Sequence, residues 1–491
     1  MNEMTSNRLE QGGLWAKSSA MPPGSKTIGA LDENSRELEL KNQPLSFPIV
    51  GIGASAGGLE AFTELLKHLP IDTGMGFVLV QHLDPQHESA LTQLLGRVTS
   101  MPVRAVTNNL QVEANQVYVI PPNTNLTIEK SVLKLQPRPI GRTPPRSIDF
   151  FFESLAQDQR ERAIGVILSG TATDGTAGLE AIKAEGGITF AQDESARCDS
   201  MPRNAIAAGC VDFIFPPENI ARELGRIARH PCVAGHAPEP LNPLEGKQKG
   251  HMPGDRPKRS ARSRVVAKRE DTDETSSAPD EAAGQTEHDA YKKILLLLRN
   301  HSGVDFSLYK SATIQRRITR RMVLSRIETL EGYAHSLRGN AKELEALYAD
   351  CLINVTSFFR NPEMFEILKD NIFPRLLQRH GEDPFRVWVS GCSTGQEAYS
   401  IAMAFMEEAE KFPRLRKLQI FATDLNDALL NRARNGLYTR NLAQDVSPER
   451  LRRFFVEEEG GYRVAKSLRE MVIFARQNLI SDPPFSRAMF E

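Results

Sequence analysis

The stretch Val50-Gly51-Ile52-Gly53-Ala54-Ser55-Ala56-Gly57-Gly58-Leu59-Glu60 constrains this chain more than any other. An apolar run, Phe47 to Val50, breaks there into a small-residue turn that opens a helical pattern. A strand-to-helix bend of this kind lifts one hydroxyl, that of Ser55, clear of a sheet and turns the following amides toward a developing oxyanion. The same letters have a second reading: Gly51-x-Gly53-x-x-Ala56 fits the dinucleotide fingerprint, in which a helix amino end holds a pyrophosphate. The turn by itself does not choose between nucleophile and cofactor loop.

The choice comes from the other strand ends. From Phe47 to about Arg229 apolar strands alternate with amphipathic helices, which predicts an α/β domain with a doubly wound parallel sheet. The expected strands are Pro48–Gly51, Gly76–Gln81, Gln116–Ile120, Ala163–Ser169, Ile188–Ala191 and Val211–Ile214. The second runs into Gln81-His82, and the fourth runs into Ser169-Gly170-Thr171-Ala172-Thr173-Asp174-Gly175. Parallel strands deliver their carboxyl ends to one edge, so Ser55, His82 and Asp174 are expected at one crevice. A serine needs a neutral imidazole to take its proton, and the imidazole needs a carboxylate to orient it. The dinucleotide reading wants an acid at the end of the second strand, where Gln81-His82 stands, although Asp84 is close by. Each residue alone has a plainer role, in packing or in a turn, and only their convergence favours a hydrolase.

These residues carry a resemblance. The turn G-A-S-A-G-G, the Q-H pair, the G-T-A-T-D-G turn, Tyr118-Val119-Ile120-Pro121-Pro122 and Met201-Pro202-Arg203-Asn204-Ala205 are similar to the catalytic domain of the chemotaxis receptor methylesterases, the CheB family. The resemblance implies Ser55 as nucleophile, His82 as base and Asp174 as the orienting acid. It also implies the backbone amides of Ala56 and Thr171 as oxyanion donors, with Met201 and Arg203 near the substrate. The implied reaction is hydrolysis of γ-glutamyl methyl esters on a methyl-accepting receptor or sensory protein, with glutamine deamidation as a second activity and no cofactor. The order Ser, His, Asp differs from the Ser, acid, His order of ordinary α/β-hydrolases. That family commonly begins with a phosphorylatable receiver domain. Residues 1–46 are polar and are expected to be a disordered leader, too short for such a domain, so gating in cis by phosphorylation is not expected.

Residues 231–288 lose all periodicity, and a basic run, Lys258 to Arg264, is followed by the acidic Glu270 to Glu274; this predicts a disordered linker. Residues 289–378 read as a small all-helical domain, with Ile294, Leu297, Leu298, Ile314, Ile318, Met322 and Ile327 at helical spacing. Its Arg316, Arg317, Arg320 and Arg321 are expected either to solvate a helix face or to dock on an acidic receptor helix. Residues 379–491 read as a second, partial Rossmann-like sheet. Phe385–Val389 is followed by the turn Ser390 to Glu397, and Leu418–Ala422 leads to a strand-end acid, Asp424, the arrangement for an adenosyl ligand.

Asn354-Val355-Thr356-Ser357-Phe358-Phe359-Arg360, the S-T-G-Q-E-A-Y-S turn and Gln477-Asn478-Leu479 resemble the chemotaxis receptor methyltransferases, the CheR family. The resemblance implies S-adenosyl-L-methionine (SAM) contacts at Asn354, Thr356, Arg360, Glu397, Asp424, Asn478 and Leu479. The family continues beyond the segment that here ends at Glu491. The second sheet is therefore expected to have three parallel strands, and this half to bind SAM weakly or not at all and to transfer no methyl group.

Composition narrows the rest. With 61 basic and 62 acidic residues in 491, whole-chain attraction to nucleic acid or anionic lipid has no support. Five cysteines without a C-x-x-C pair indicate neither a disulfide framework nor a metal site, and no apolar run is long enough to span a bilayer; a cytoplasmic protein is expected. The rival to an enzyme is a receptor-docking scaffold with vestigial catalytic domains.

Overall fold

The computed structural model describes residues 47–81, 90–137, 146–233, 279–352, 356–378, 384–412, 417–439, 442, 445–458, 461–483 and 485. Strand β1 (Ile49–Ala54) leads into helix α1 (Gly58–His68), followed by β2 (Gly76–Gln81), α2 (Leu91–Leu95), β3 (Val103–Ala105), β4 (Leu110–Gln111), β5 (Val117–Val119), β6 (Thr124–Glu129) and β7 (Val132–Pro137). Then come α3 (Ser147–Gln159), β8 (Ala163–Ile167), α4 (Thr176–Ala184), β9 (Ile188–Gln192), α5 (Ser200–Ala208), β10 (Phe213–Phe215) and α6 (Pro217–Ala228). Seven of the strands form one sheet in the order β10-β9-β8-β1-β2-β5-β3, and every pairing in it is parallel. The chain winds outward from β1 in one direction and from β8 in the other, so the topological switch point lies between those two strands.

A parallel sheet covered on both faces needs strands that are apolar throughout, and β1 and β8 are buried at every position. Phe62, Leu65 and Leu66 of α1 and Ile220, Leu224 and Ile227 of α6 pack on one face. Ile148, Phe151, Phe152 and Leu155 of α3 and Leu179 and Ile182 of α4 pack on the other. Gly51 and Gly53 lie inside β1 and are needed for this second layer. A Cβ at Gly51 would come within 2.8 Å of the Phe152 ring, and one at Gly53 would collide with Ile148 Cγ2. The glycines that suggested a dinucleotide loop are thus strand positions that let α3 lie close, and the bend itself is confined to Ser55–Gly57, with Gly57 at φ 78°. Two features were not legible in the sequence: the short edge strand β3, and a three-stranded antiparallel sheet ordered β4-β7-β6.

The helical domain comprises α7 (Pro279–Ser302), α8 (Ser311–Leu324), α9 (Leu330–Ser336) and α10 (Ala341–Cys351) around Ile294, Leu298, Ile314, Ile318, Met322 and Leu347. Helix α7 begins inside the segment expected to be linker, so residues from Pro279 onward are helical. The arginine expectation is corrected here. Arg317 and Arg320 are buried, not solvated, and both bond to the first α/β domain, Arg320 pairing also with Asp350 of α10. Arg317 donates to Lys183 O (2.8 Å) and Ala184 O at the carboxyl end of α4, where the helix dipole favours a cation.

The carboxyl-terminal part begins with α11 (Pro362–Ile367) and α12 (Phe373–Leu377), which precede β11 (Phe385–Ser390), α13 (Gln396–Ala409), β12 (Leu418–Asp424) and α14 (Asp427–Asn435). Strands β13 (Leu437–Tyr438), β14 (Phe455–Glu458) and β15 (Gly461–Val464) make an antiparallel sheet, with α15 (Pro448–Phe454) and α16 (Lys466–Arg469) alongside, before β16 (Val472–Arg476). Among the described residues, β11, β12 and β16 form the expected three-stranded parallel sheet.

Candidate active site and candidate SAM site

The Ser55 turn is held by the ends of both strands next to β1. Ser55 N donates to Ser169 O beyond β8 (2.9 Å), and Gln81 Nε2 at the end of β2 donates to Ser55 O (3.3 Å). Ser169 tightens the junction: its Oγ donates to Ala56 O (2.8 Å) and accepts from Cys198 N (3.0 Å), while its amide donates to Gln192 Oε1 (2.9 Å). The Ser55 turn is therefore fixed from its flanks, at the switch point between β1 and β8. Among the described residues, backbone hydrogen bonds of the turns and loops do not engage the amides of Ala56 and Thr171.

Asp174 is buried in the turn between β8 and α4. Its Oδ2 accepts from Ile148 N (3.0 Å) and its Oδ1 from Asp149 N (2.9 Å), the first amides of α3. Asp149 answers from α3: its Oδ1 accepts from Gly175 N (2.9 Å) and Gly178 N (2.8 Å) at the start of α4. Two carboxyls thus exchange helix amino ends. Burial, reinforced by the negative Asp174 beside it, pushes the Asp149 carboxyl up to about 8. Sequence reasoning missed Asp149, Ser169 and Gln192. The only local signal for Asp149 was an acid two residues after a serine at a helix start.

The remaining expected residues fall as follows. His82 lies outside the described residues, one position beyond the end of β2. Met201 is fully buried beneath Gly170, where a Cβ at the glycine would meet Met201 Sδ at 2.9 Å, so it is a wall of the turn and not an exposed contact. Arg203 is exposed and paired with Asp199 Oδ2 at 3.0 Å.

In the second α/β part the glycine turn and the strand-end acid do meet. Asp424 Oδ2 accepts from Ser393 N (2.8 Å) and Oδ1 from Asn426 N (2.9 Å). Gly391 and Gly395 have φ of 68° and 86°; a Cβ at Gly391 would meet nothing within 4 Å, whereas one at Gly395 would stand 2.9 Å from Ala433 Cβ and from the Phe474 ring. Each Asp424 oxygen retains a lone pair for a ribose hydroxyl, and Glu397 is exposed in the first turn of α13. These donors and acceptors fit an adenosyl group. Asn478 Oδ1 accepts from Ile480 N (3.0 Å), Thr356 is half-buried, and Arg360 and Leu479 are exposed; Asn354 lies outside the described residues.

Fold and site together define a class: a doubly wound α/β domain with a serine turn at its switch point, joined through a helical domain to a Rossmann-like domain with an acid-anchored glycine turn. The model of the CheB methylesterase family matches residues 50–224, that of the CheR methyltransferase all-alpha domain residues 289–351, and that of the CheR methyltransferase SAM binding domain residues 354–489. A putative protein-glutamate methylesterase/protein-glutamine glutaminase of Leptospira interrogans is 34% identical over 187 residues, which are 37% of this chain and 96% of the relative. The chain belongs to the protein-glutamate methylesterase family, fused to CheR-type methyltransferase domains. A similar enzyme of Burkholderia pseudomallei is 34% identical over 232 residues, 44% of this chain and 66% of the relative. An uncharacterized 104.1 kDa protein of Rhodobacter capsulatus is 36% identical over 399 residues, 81% of this chain and 40% of the relative. This chain thus spans less than two thirds of the length of these last two relatives. No helix among the described residues is long and apolar enough to cross a membrane.

Proposed function

We propose that the amino-terminal α/β domain hydrolyses γ-glutamyl methyl esters on a methyl-accepting receptor or sensory protein in the cytoplasm, and deamidates glutamines by the same route. The observation that carries this reading is the Ser55 amide bonded to Ser169 O, because it ties the nucleophile turn to the segment that leads five residues later to Asp174. His82 completes the set from the neighbouring strand end. Ser55 Oγ attacks the ester carbonyl and its proton passes to His82. The amides of Ala56 and Thr171 hold the oxyanion, and the imidazolium returns the proton to the leaving methanol. Water, activated by the same imidazole, then releases the glutamate and restores Ser55. Asp174 orients the ring throughout.

We infer further that the CheR-type part holds SAM, with Asp424 on the ribose hydroxyls and Thr356, Arg360, Glu397, Asn478 and Leu479 lining the pocket with Asn354. When bound, that cofactor supplies an electrophilic methyl group. The chain's own residues bind it and exclude water.

The test of the esterase is methanol release from a peptide carrying a γ-glutamyl methyl ester, using the full chain. Ser55→Ala and His82→Ala are each expected to lower the rate by about a thousandfold or more. An undiminished rate in either variant overturns the assignment.

A further inference from the structure

We propose that Asp149 is a positioning residue for Asp174, holding in place the turn from which that carboxylate faces the imidazole; this rests on the triad reading above. Asp149 touches no expected substrate. Its Oδ1 accepts from both Gly175 N and Gly178 N, one and four residues after Asp174 in sequence. In return Asp174 takes the amides of Ile148 and Asp149. Neither turn can move without breaking a hydrogen bond at the other.

The packing around the clasp leaves little slack. A Cβ at Gly178 would stand 3.2 Å from Asp149 Cα, and one at Gly175 would stand 2.9 Å from Ile148 Cγ2, so α3 and α4 are in backbone contact here. Asp149 is 1% exposed, and its Oδ2 is buried with no hydrogen-bond partner, 3.5 Å from Arg146 Nε. That oxygen carries no hydrogen bond, and the group it faces is the Arg146 guanidinium. Burial first, and Asp174 second, favour the protonated form of the Asp149 carboxyl; the hydrogen bond from Gly178 N and then Arg146 oppose them, and Glu153 adds a smaller push toward protonation. Asp149 therefore supplies an acceptor at Oδ1 without placing a second full negative charge next to Asp174. Asparagine has the same shape and the same acceptor, and is neutral at every pH.

The test uses the full chain and a fluorophosphonate, which phosphonylates a serine only when a base activates it. The rate at Ser55 is followed by intact mass. A second readout is the deshielded imidazole N–H resonance of a histidine bonded to a carboxylate. Asp149→Ala is expected to slow labelling by about tenfold or more and to remove that resonance, because small displacements of catalytic groups are costly. Asp149→Asn is expected to label within about threefold of wild type and to keep the resonance. Equal labelling of Asp149→Ala and wild type overturns the positioning role alone. Asp149→Asn as slow as Asp149→Ala also overturns it, since the retained acceptor then does not suffice. A wild-type chain unlabelled at Ser55, or labelled there equally in His82→Ala, overturns the triad reading and this role with it. If Asp149→Ala does not fold, the asparagine variant alone decides by the same two readouts.

Discussion

Arg320, on α8 of the helical domain, is buried against Asp212, in the turn before β10 of the methylesterase domain. Its guanidinium also pairs with Asp350 on α10 and donates through Nε to Gly187 O (3.0 Å). Asp212 accepts in addition from Thr189 N and Thr189 Oγ1 on β9, both at 3.0 Å, so the ion pair is anchored to the sheet edge. Burial alone would raise the Asp212 carboxyl, but the charges of Arg320 and Lys183 outweigh it and hold the group below the usual carboxylate range. Two domains that the sequence shows as separate patterns thus share one buried charge cluster.

Breaking that cluster takes the buried cation from Asp212 and Asp350, leaving Asp212 with Lys183 at 3.4 Å and Asp350 with Arg321 at 3.9 Å. Arg320→Ala is expected to cost about 3–5 kcal/mol of stability, measured by urea unfolding of the full chain. A loss below about 1 kcal/mol would show the pair to be solvated in solution.

Asp149 gives stability a pH dependence whose sign is fixed. Its folded-state value, about 8, lies above the unfolded carboxylate value of about 3.9, so the folded chain keeps a proton that the unfolded chain has released. The associated stability is fully present below the unfolded value and is lost as pH rises toward 8, by up to about 1.4 kcal/mol per pH unit. Thermal melts of Asp149→Asn and wild type are therefore expected to diverge between pH 5 and 8, with the asparagine variant increasingly the more stable. Parallel curves would contradict the buried proton.

Gly53→Ala separates the strand role of this glycine from the role a cofactor loop would give it. The added methyl collides with Ile148 Cγ2 and pushes α3 off β1, moving the amides that hold Asp174. The expected cost is about 1–3 kcal/mol, together with slower Ser55 labelling, and titration with NAD is expected to show no binding to either form.

Asp424 joins the glycine turn to the end of β12. Asp424→Ala removes the acceptor for Ser393 N and, in the proposed SAM mode, for the ribose hydroxyls, and calorimetric titration with S-adenosylhomocysteine is expected to show binding weakened by about tenfold or more. An unchanged affinity would place the adenosyl group elsewhere.

Local pattern carried far in this chain. Alternating apolar strands and amphipathic helices announced both α/β parts, and the strand ends at Gln81 and Asp424 fell where the apolar runs stopped. A run buried on both faces has to be apolar throughout, so strand position and strand end could be read without knowing the neighbours. The serine turn was legible for the same reason: small residues between a strand and a helix have few other uses.

What pairs across the fold was not legible. Asp149 lies 25 residues before Asp174, and nothing in either local segment says that their helices cross amino end to amino end. Arg317 and Arg320 look like a solvated helix face in the sequence, because a charged side chain reveals its burial only through the partner that compensates it. Here those partners, Asp212 and the α4 carbonyls, stand more than a hundred residues earlier. The sequence by itself determined the elements and the order of the chemical groups along them. Only the tertiary structure decided which carboxyl meets which amide, because that depends on long-range packing and desolvation, which no local period encodes.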